Sequence, residues 1–145
     1  MRDYKKIKAW QYADDLTVAI YRESKLFPRE ELYALTNQIR RAAYSVPSNI
    51  AEGAGRSSKK DYLHFLYIAR ASLNETQYFV HLASRLGYLK QEQAEALEKL
   101  LKGTFARLYG LIEAVKKEAG LFGRVTAFLT STVMISMAGK FLHTI

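Results

Sequence analysis

An all-α fold, and within it an antiparallel up-down four-helix bundle, is predicted by three features of this 145-residue chain. Apolar residues recur at helical spacing over four long stretches, whereas the alternation typical of strands is scarce before residue 120. Short breaks containing proline, glycine or serine separate these stretches, and short connections favour antiparallel neighbours. Hydrophobic residues make up 49% of the chain, which at this length is enough for one domain with a buried core.

The first helix is predicted over residues 7–25 and the second from about residue 30. Phe27-Pro28 separates them, because a residue before proline is pushed out of the α region. Glu30 and Glu31 suit the positive end of the second helix dipole. The apolar positions are Ile7, Trp10, Ala13, Leu16 or Thr17, and Ile20 in the first helix, and Leu32, Leu35, Ile39, Ala42 or Ala43, Val46 and Ile50 in the second.

Pro47 lies inside the second predicted helix, within the sequence QIRRAAYSVPSNIAEGAGR of residues 38–56. A proline in a helix removes one backbone hydrogen bond and costs about 3 kcal/mol unless neighbours compensate. The sequence therefore predicts a kink or a break near Pro47. Gln38, Ser45 and Asn49 follow helical spacing, and their hydroxyl and amide groups are predicted to satisfy the freed carbonyl.

The third helix is predicted to have Ser58 as its N-cap and to stop at Gly87. The fourth is predicted over residues 91–117, where Gly103 and Gly110 leave room for another helix to approach closely. The apolar positions are Tyr62, Phe65, Leu66, Ala69, Leu73, Thr76, Phe79 or Val80, Ala83 and Leu86 in the third helix, and Ala94, Leu97, Leu100, Leu101, Thr104, Leu108, Leu111, Ile112 and Val115 in the fourth.

Residues 1–119 are predicted to form the bundle, and residues 120–145 an extra apolar C-terminal segment that is not a separate domain. The segment holds no acidic residue and only Arg124 and Lys140 as fixed charges, and helix and strand both fit its pattern. It is predicted to pack on the bundle or on a neighbouring subunit, with a membrane-surface anchor or a poorly ordered appendage as alternatives. Its uncharged run is shorter than a membrane span requires, so no span is predicted.

The chain carries none of the motifs that would indicate an enzyme. It has no cysteine, which excludes disulfides, thiolate metal sites and cysteine nucleophiles. A di-iron bundle needs Glu-x-x-His pairs, and Asp61-x-x-His64 matches only part of that pattern. P-loop, nucleophile-elbow and Gly-x-Gly-x-x-Gly motifs are also missing from the sequence. We therefore expect no catalytic residue, no metal and no cofactor. The first residues lack the apolar core of a signal peptide, which predicts a cytoplasmic location.

A net charge of +8 favours polyanionic partners, and two groups of cations are candidates for contact with phosphates. One group lies at the start of the third helix, where the dipole gives cations no structural benefit. The other lies near the start of the chain, and the two merge if both occupy the same end of the bundle. Most of the ten tyrosines are predicted to occupy core or rim positions, and none is assigned to stacking on bases. The first group is Arg56, Lys59 and Lys60, and the second is Lys5, Lys6 and Lys8.

Other polar residues are predicted to serve the scaffold. Positions on the second and third helices whose numbers sum to about 114–116 should lie at the same height of an antiparallel hairpin. Arg40 and Arg41 are then level with Glu75, which predicts a charge-assisted ion pair that fixes the register of the two helices. The residues assigned to the scaffold or to subunit contacts are Arg40, Arg41, Asn49, Glu52 and Glu75.

Several segments resemble the four-helix-bundle family of 23S rRNA intervening-sequence proteins, over about residues 4–118. The chain is more distantly similar to the accessory proteins of diversity-generating retroelements. The matching segments are Ala9-Trp10-Gln11, Phe27-Pro28, Leu35-Thr36, Gln38-Ile39-Arg40-Arg41-Ala42, Ser48-Asn49-Ile50-Ala51-Glu52-Gly53, Gly55-Arg56, Phe65-Leu66, Ile68-Ala69, Ser72-Leu73-Asn74-Glu75 and Leu86-Gly87-Tyr88-Leu89.

The resemblance implies a bundle that assembles into a ring, most often a homopentamer, with a non-enzymatic role in which RNA binding is expected. The predicted function is accordingly an oligomer that binds RNA, rRNA first, or another nucleic acid through a basic surface. The alternative is a ring-forming scaffold for a protein partner, without a specific nucleic-acid ligand. Ala34 and Ala71 stand where the family often has glycine, and the segment after Lys117 has no counterpart in the family pattern.

Overall fold

The computed structural model describes residues 2–120, which form four α-helices and confirm the predicted all-α bundle. Each helix packs on its neighbours in the cyclic order α1, α2, α3, α4, and α4 closes on α1. The start of the chain, the α2–α3 turn and the end of α4 therefore share one end of the bundle. Beyond Gly120, the predicted C-terminal segment lies outside the described residues, and the division at residue 119 stays a prediction. The helices are α1 (Lys8–Glu23), α2 (Leu35–Ala54), α3 (Lys59–Arg85) and α4 (Gln91–Glu118).

The core of the bundle follows the predicted apolar stripes. Leu16, Ile39, Leu66 and Leu101, one from each helix, are all at most 1% exposed. Burying one such side chain contributes about 1.5–3 kcal/mol. The periodicity of the sequence therefore identified the buried face of every helix.

Two predicted core positions, Leu32 and Leu86, are wrong, since each is 49% exposed. Leu86 is the C-cap residue of α3 and Leu32 precedes the first residue of α2, so both lie where helical periodicity no longer applies. The exposed Leu32 follows from a late helix start, because α2 begins at Leu35 rather than near residue 30. Glu31 closes a 3-10 turn, and its Oε2 accepts a hydrogen bond at 3.1 Å from the Leu35 N–H. The acid caps the helix rather than forming its first turn.

The predicted ends of α3 are confirmed. Ser58 Oγ accepts a hydrogen bond at 3.0 Å from the Asp61 N–H, which is the expected N-cap contact. At the other end, Gly87 has a φ of 75°, a left-handed conformation that disfavours residues with a Cβ. The Tyr88 N–H donates to the Ala83 carbonyl at 2.9 Å, as in a Schellman motif. Gly87 thus reverses the chain into the connection to α4.

Helix α2 continues without interruption through the buried Pro47, so the predicted break does not occur. Proline has no N–H for the carbonyl four residues earlier, which belongs to Ala43. Thr17 Oγ1 of α1 lies 3.0 Å from that carbonyl oxygen and donates a hydrogen bond to it. The prediction of a local donor on α2 is therefore wrong, since the Asn49 amide donates to the Ser45 carbonyl instead, at 2.8 Å. A neighbouring helix supplies the missing donor.

Glycine permits close helix contact at one of the two positions predicted on α4. A Cβ added at Gly103 would lie 2.8 Å from Tyr12 Cε1 of α1, whereas one added at Gly110 would have no heavy atom within 4 Å. The prediction is confirmed for Gly103 and wrong for Gly110. A Cβ at Gly53 of α2 would also lie 2.8 Å from Tyr62 Cδ2 of α3, a contact that agrees with the predicted hairpin register.

Candidate nucleic-acid interface

One end of the bundle brings together three segments that are distant in sequence. The carboxylate of Glu118, the last residue of α4, forms ion pairs with Lys59 and, at 3.5 Å, with Arg2. Arg2 Cζ lies 5.0 Å from the ring centroid of Tyr62, in the first turn of α3. The two predicted groups of cations therefore do share one end. We define the basic end as residues 2–8, 52–61 and 113–118.

The basic end holds most of the net charge of the described residues. It contains nine lysines and arginines against five aspartates and glutamates, a net charge of +4. The other described residues contain eleven cations and nine acids, a net charge of +2, although they are about four times as numerous. A phosphate backbone is therefore attracted to this end more strongly than to the rest of the bundle.

Lys5 and Lys60 are the predicted phosphate contacts that the structure leaves most available. Both are exposed, and neither forms an ion pair with another residue of 2–120. Lys6 lies 3.8 Å from Asp3 Oδ2, and the Lys8 ammonium donates to a glutamine of α1 at 3.1 Å. These two contacts are solvent-exposed, so a phosphate oxygen can replace them at little cost.

Arg56 and Lys59 have structural partners, contrary to the sequence argument that cations at this helix start gain nothing. Arg56 forms an ion pair with Glu52 one turn earlier, and its Cζ lies 4.6 Å from the Phe65 ring centroid. Lys59 pairs with Glu118, a residue 59 positions away in the chain. An argument from the helix dipole alone could not reveal these ion pairs, because it considers neither Glu52 on the preceding helix nor Glu118, which tertiary packing brings to Lys59. Lys60 is accordingly the most available cation of its group for contact with a phosphate.

Arg40 serves the scaffold, but not through its predicted partner. Its Nε donates to Ser24 Oγ at 2.8 Å, and its Cζ lies 4.9 Å from the ring centroid of Tyr21, so it joins α2 to the end of α1. The predicted ion pair with Glu75 is wrong: neither Arg40 nor Arg41 pairs with that carboxylate in the described part of the chain. Arg40 faces α1 rather than α3, and Arg41 and Glu75 are exposed.

Asn49 lies in a polar contact between α2 and α3. Its Nδ2 donates to the carbonyl and the hydroxyl of Ser45 at 2.8 and 3.0 Å, and Ser45 Oγ lies 2.9 Å from Ser72 Oγ. This chain of contacts supports a scaffold role for Asn49, as the pair with Arg56 does for Glu52. Contacts of these residues with another subunit stay a prediction.

A groove between α3 and α4 opens at the basic end, with a volume of about 590 Å³. Tyr67 in its wall is 37% exposed, and six of the ten tyrosines have more than a third of their surface exposed. Tyr33, Tyr78 and Tyr109 are more than half exposed and do not occupy the core or rim positions predicted for most tyrosines. The spacing of Lys60, His64 and Tyr67 on one face of α3 was a signal that the sequence offered. The groove is lined by Lys59, Lys60, Leu63, His64, Tyr67 and Ala119.

Lys116 and Arg2 add cations that the sequence analysis did not assign to this surface. The Lys116 ammonium donates to Glu113 Oε1 at 2.8 Å, and this hydrogen bond raises the pKa of the lysine. For Tyr62 beneath Arg2, burial raises the pKa of the phenol, and the nearby guanidinium partly opposes that rise.

Within residues 2–120, no cluster of three or more histidine, aspartate or glutamate side chains is arranged to hold a metal ion. None of the helices described is both long enough and apolar enough to cross a membrane.

The molecule is thus an antiparallel four-helix bundle with a positively charged end. The family model for 23S rRNA-intervening sequence protein matches residues 5–110, and the chain belongs to this family. The fold is similar to the crystal structure of a protein with unknown function from the S23 ribosomal protein family of Bacteroides thetaiotaomicron VPI-5482. The TM-score is 0.66 at 27% identity, covering 72% of this chain and 97% of that one. No curated protein shows significant similarity to the chain.

Proposed function

We propose that the protein is a non-enzymatic, cytoplasmic oligomer that binds structured RNA through the basic end. The observation that carries this proposal is the net charge of +4 concentrated in residues 2–8, 52–61 and 113–118, where Lys5 and Lys60 have no ion-pair partner among residues 2–120. Membership of a family named after 23S rRNA makes ribosomal RNA the first candidate among nucleic acids.

Binding through the basic end would depend on phosphate contacts. Ammonium groups on a rigid scaffold neutralise phosphates and release their condensed counterions, which gives an affinity that falls steeply with salt. The resemblance to ring-forming relatives extends the proposal to a homopentamer. A ring would repeat the basic end once per subunit, so several weak contacts on one RNA would add up to a high avidity.

Fluorescence anisotropy with a labelled rRNA hairpin, across a salt series, tests the proposal. Matched duplex DNA and heparin serve as competitors. The test variant is Lys5→Glu combined with Lys60→Glu, because neither side chain forms an ion pair within residues 2–120. The control is Lys25→Glu combined with Lys99→Glu, which makes the same charge change with exposed residues outside the basic end.

The wild-type protein should bind the hairpin at physiological salt and in preference to both competitors. The test variant should reduce the slope of log K against log salt by about 1.5, since each lost phosphate contact removes about 0.7–0.9. The control variant should keep a slope close to wild type. Equal slopes for the two variants would refute the basic end as the site. Equal affinities for the RNA hairpin, duplex DNA and heparin would refute RNA as the ligand.

A protein-binding scaffold is the second candidate function, favoured by exposed apolar side chains in the α1–α2 connection. Leu26, Leu32 and Tyr33 are 72%, 49% and 89% exposed, and they lie at the opposite end of the bundle from the basic end. Apolar clusters of this kind mark interaction surfaces. This function would be favoured if the oligomer does not bind RNA and if the Tyr33→Ser substitution abolishes its co-purification with a partner protein.

A further inference from the structure

A recess between α3 and α4 lies outside the basic end. Tyr78 in its rim is about 27 Å from Lys60 along α3, at a rise of 1.5 Å per residue. Its volume is about 440 Å³. Its floor is apolar, because Val80 and Leu101 beneath it are 2% and 1% exposed. Its rim is polar and aromatic, and consists of Asn74, Gln77, Tyr78 and His81 of α3 with Glu98 and Lys102 of α4.

The polar groups of this rim are free to bind a ligand. Within residues 2–120, none of the six side chains forms a side-chain hydrogen bond or an ion pair, although an acid and a lysine are both present. Asn74 and Gln77 are three residues apart, which places both amides on the same face of α3. Tyr78 is 58% exposed, so its ring is accessible to a flat partner.

This combination of groups matches a nucleobase better than it matches a phosphate or an apolar ligand. Amide side chains carry a donor and an acceptor side by side, the pattern that pairs with the N6 and N7 edge of adenine. An exposed tyrosine offers a stacking surface, and base–aromatic stacking is a main source of affinity for single strands. Lys102 can contact the phosphate of the same nucleotide, while Glu98 would repel a bare anion.

We propose that this recess binds an unpaired RNA base, with adenine as the best fit. In duplex RNA the base edges are paired and the deep major groove excludes side chains, so only a single-stranded or bulged nucleotide can enter. The proposal rests on the proposed function, because it extends the RNA from the basic end to a second, base-reading contact.

The face between the two sites is suited to carry the intervening strand. Arg70 lies on α3 between them, its Cζ 5.0 Å from the Tyr67 ring centroid. Tyr109 of α4 is 63% exposed, and it lines a smaller concavity of about 340 Å³ together with Arg70 and Phe105. Cations and exposed rings therefore alternate along the α3–α4 face, as on surfaces that bind single strands.

The test compares two RNAs by fluorescence anisotropy: a labelled rRNA hairpin with a single-stranded oligoadenosine extension, and the same RNA with that extension paired to a complementary strand. The test variant is Tyr78→Ala, and Tyr78→Phe preserves the stacking ring. Tyr44→Ala is the matched control, since Tyr44 is 45% exposed on α2, away from the recess. Circular dichroism and size-exclusion chromatography establish that each variant keeps its fold and oligomeric state.

The wild-type protein should prefer the single-stranded extension. Tyr78→Ala should weaken binding of that RNA by about 5- to 150-fold, the range for loss of one stacked base, and should leave the paired RNA unaffected. Tyr78→Phe and Tyr44→Ala should bind like wild type. Equal behaviour of the two alanine variants, or no preference for the unpaired extension, would overturn the inference.

A second measurement separates this inference from the proposed function. If the wild-type protein binds neither RNA at low salt, the proposed function fails. A titration with adenosine 5′-monophosphate, followed by NMR, then tests independently whether the recess binds a base. Shifts confined to the side-chain amide signals of Asn74 and Gln77 would support a base site, whereas unmoved signals at millimolar nucleotide would overturn it.

Discussion

Replacing Thr17 by valine tests how the bundle accommodates a proline inside α2. Thr17 Oγ1 lies 2.8 Å from the Ala13 carbonyl of its own helix and 3.0 Å from the Ala43 carbonyl of α2. The Ala13 carbonyl has a helical N–H as a second donor, whereas the Ala43 carbonyl lost its helical donor at Pro47. Valine keeps the shape of threonine and removes the hydroxyl, so the substitution leaves the Ala43 carbonyl without a donor.

The cost of this substitution follows from the burial of the acceptor. Ala43 is 0% exposed, so water cannot replace the hydroxyl, and an unsatisfied buried acceptor costs about 1–3 kcal/mol. We expect Thr17→Val to lower the free energy of unfolding by about 1.5 kcal/mol. In a Pro47→Ala background the new backbone N–H supplies the donor, and the same substitution should then cost less than about 0.5 kcal/mol. The coupling energy should be about 1 kcal/mol.

Urea unfolding of the wild type, the two single variants and the double variant measures this coupling. Thr76→Val is the control, because the one acceptor of Thr76 Oγ1 in the described part of the chain is the Ser72 carbonyl, at 2.8 Å, which keeps its helical donor. The control should cost less than Thr17→Val. The explanation would be refuted if Thr17→Val cost the same in both backgrounds, or if the control cost as much as Thr17→Val.

Three further predictions concern packing, pH and charge. Gly53→Ala should destabilise the bundle by about 1–3 kcal/mol, because the new Cβ would lie 2.8 Å from Tyr62. Gly110→Ala places its Cβ in open space and should stabilise the bundle by about 0.5–1 kcal/mol. Melting temperatures of the two variants that shift in the same direction would contradict this contrast. Tyr62→Phe should raise the free energy of unfolding by about 1 kcal/mol at pH 7, because the buried hydroxyl has no hydrogen-bond partner among the described residues. Burial raises the pKa of Tyr62, so the wild type should lose stability as pH rises past about 10, the unfolded value, and urea titrations should show a smaller loss for the phenylalanine variant. Glu118→Gln removes an acid that pairs with Lys59, and it should tighten RNA binding in the anisotropy assay; weaker binding would argue against the basic end as the site.

The sequence predicted which cations belong to the candidate interface, but it did not predict which residues they contact. Lys60 and Lys5 were identified from charge and position, since a phosphate contact needs only an exposed ammonium near the ligand. The contacts of Arg56 with Phe65 and of Lys59 with Glu118 were not predicted, because turns and packing bring these residues together rather than a short-range sequence pattern. The recess on α3 and α4 was missed for the same reason, since its two walls come from different helices.

The sequence by itself determined that there are four helices, most of their buried positions and the height at which α2 and α3 meet. These properties depend on local spacing, because residues close together in the sequence set both the helical period of 3.6 residues and the length of a turn. Only the tertiary structure decided which neighbour each polar group touches. Arg40 has the predicted height, yet it turns toward Ser24 on the α1 side, and the hydroxyl that compensates for Pro47 comes from Thr17 of another helix. The rotation of a side chain about its helix axis, relative to two adjacent helices, is set by the packing of the whole bundle.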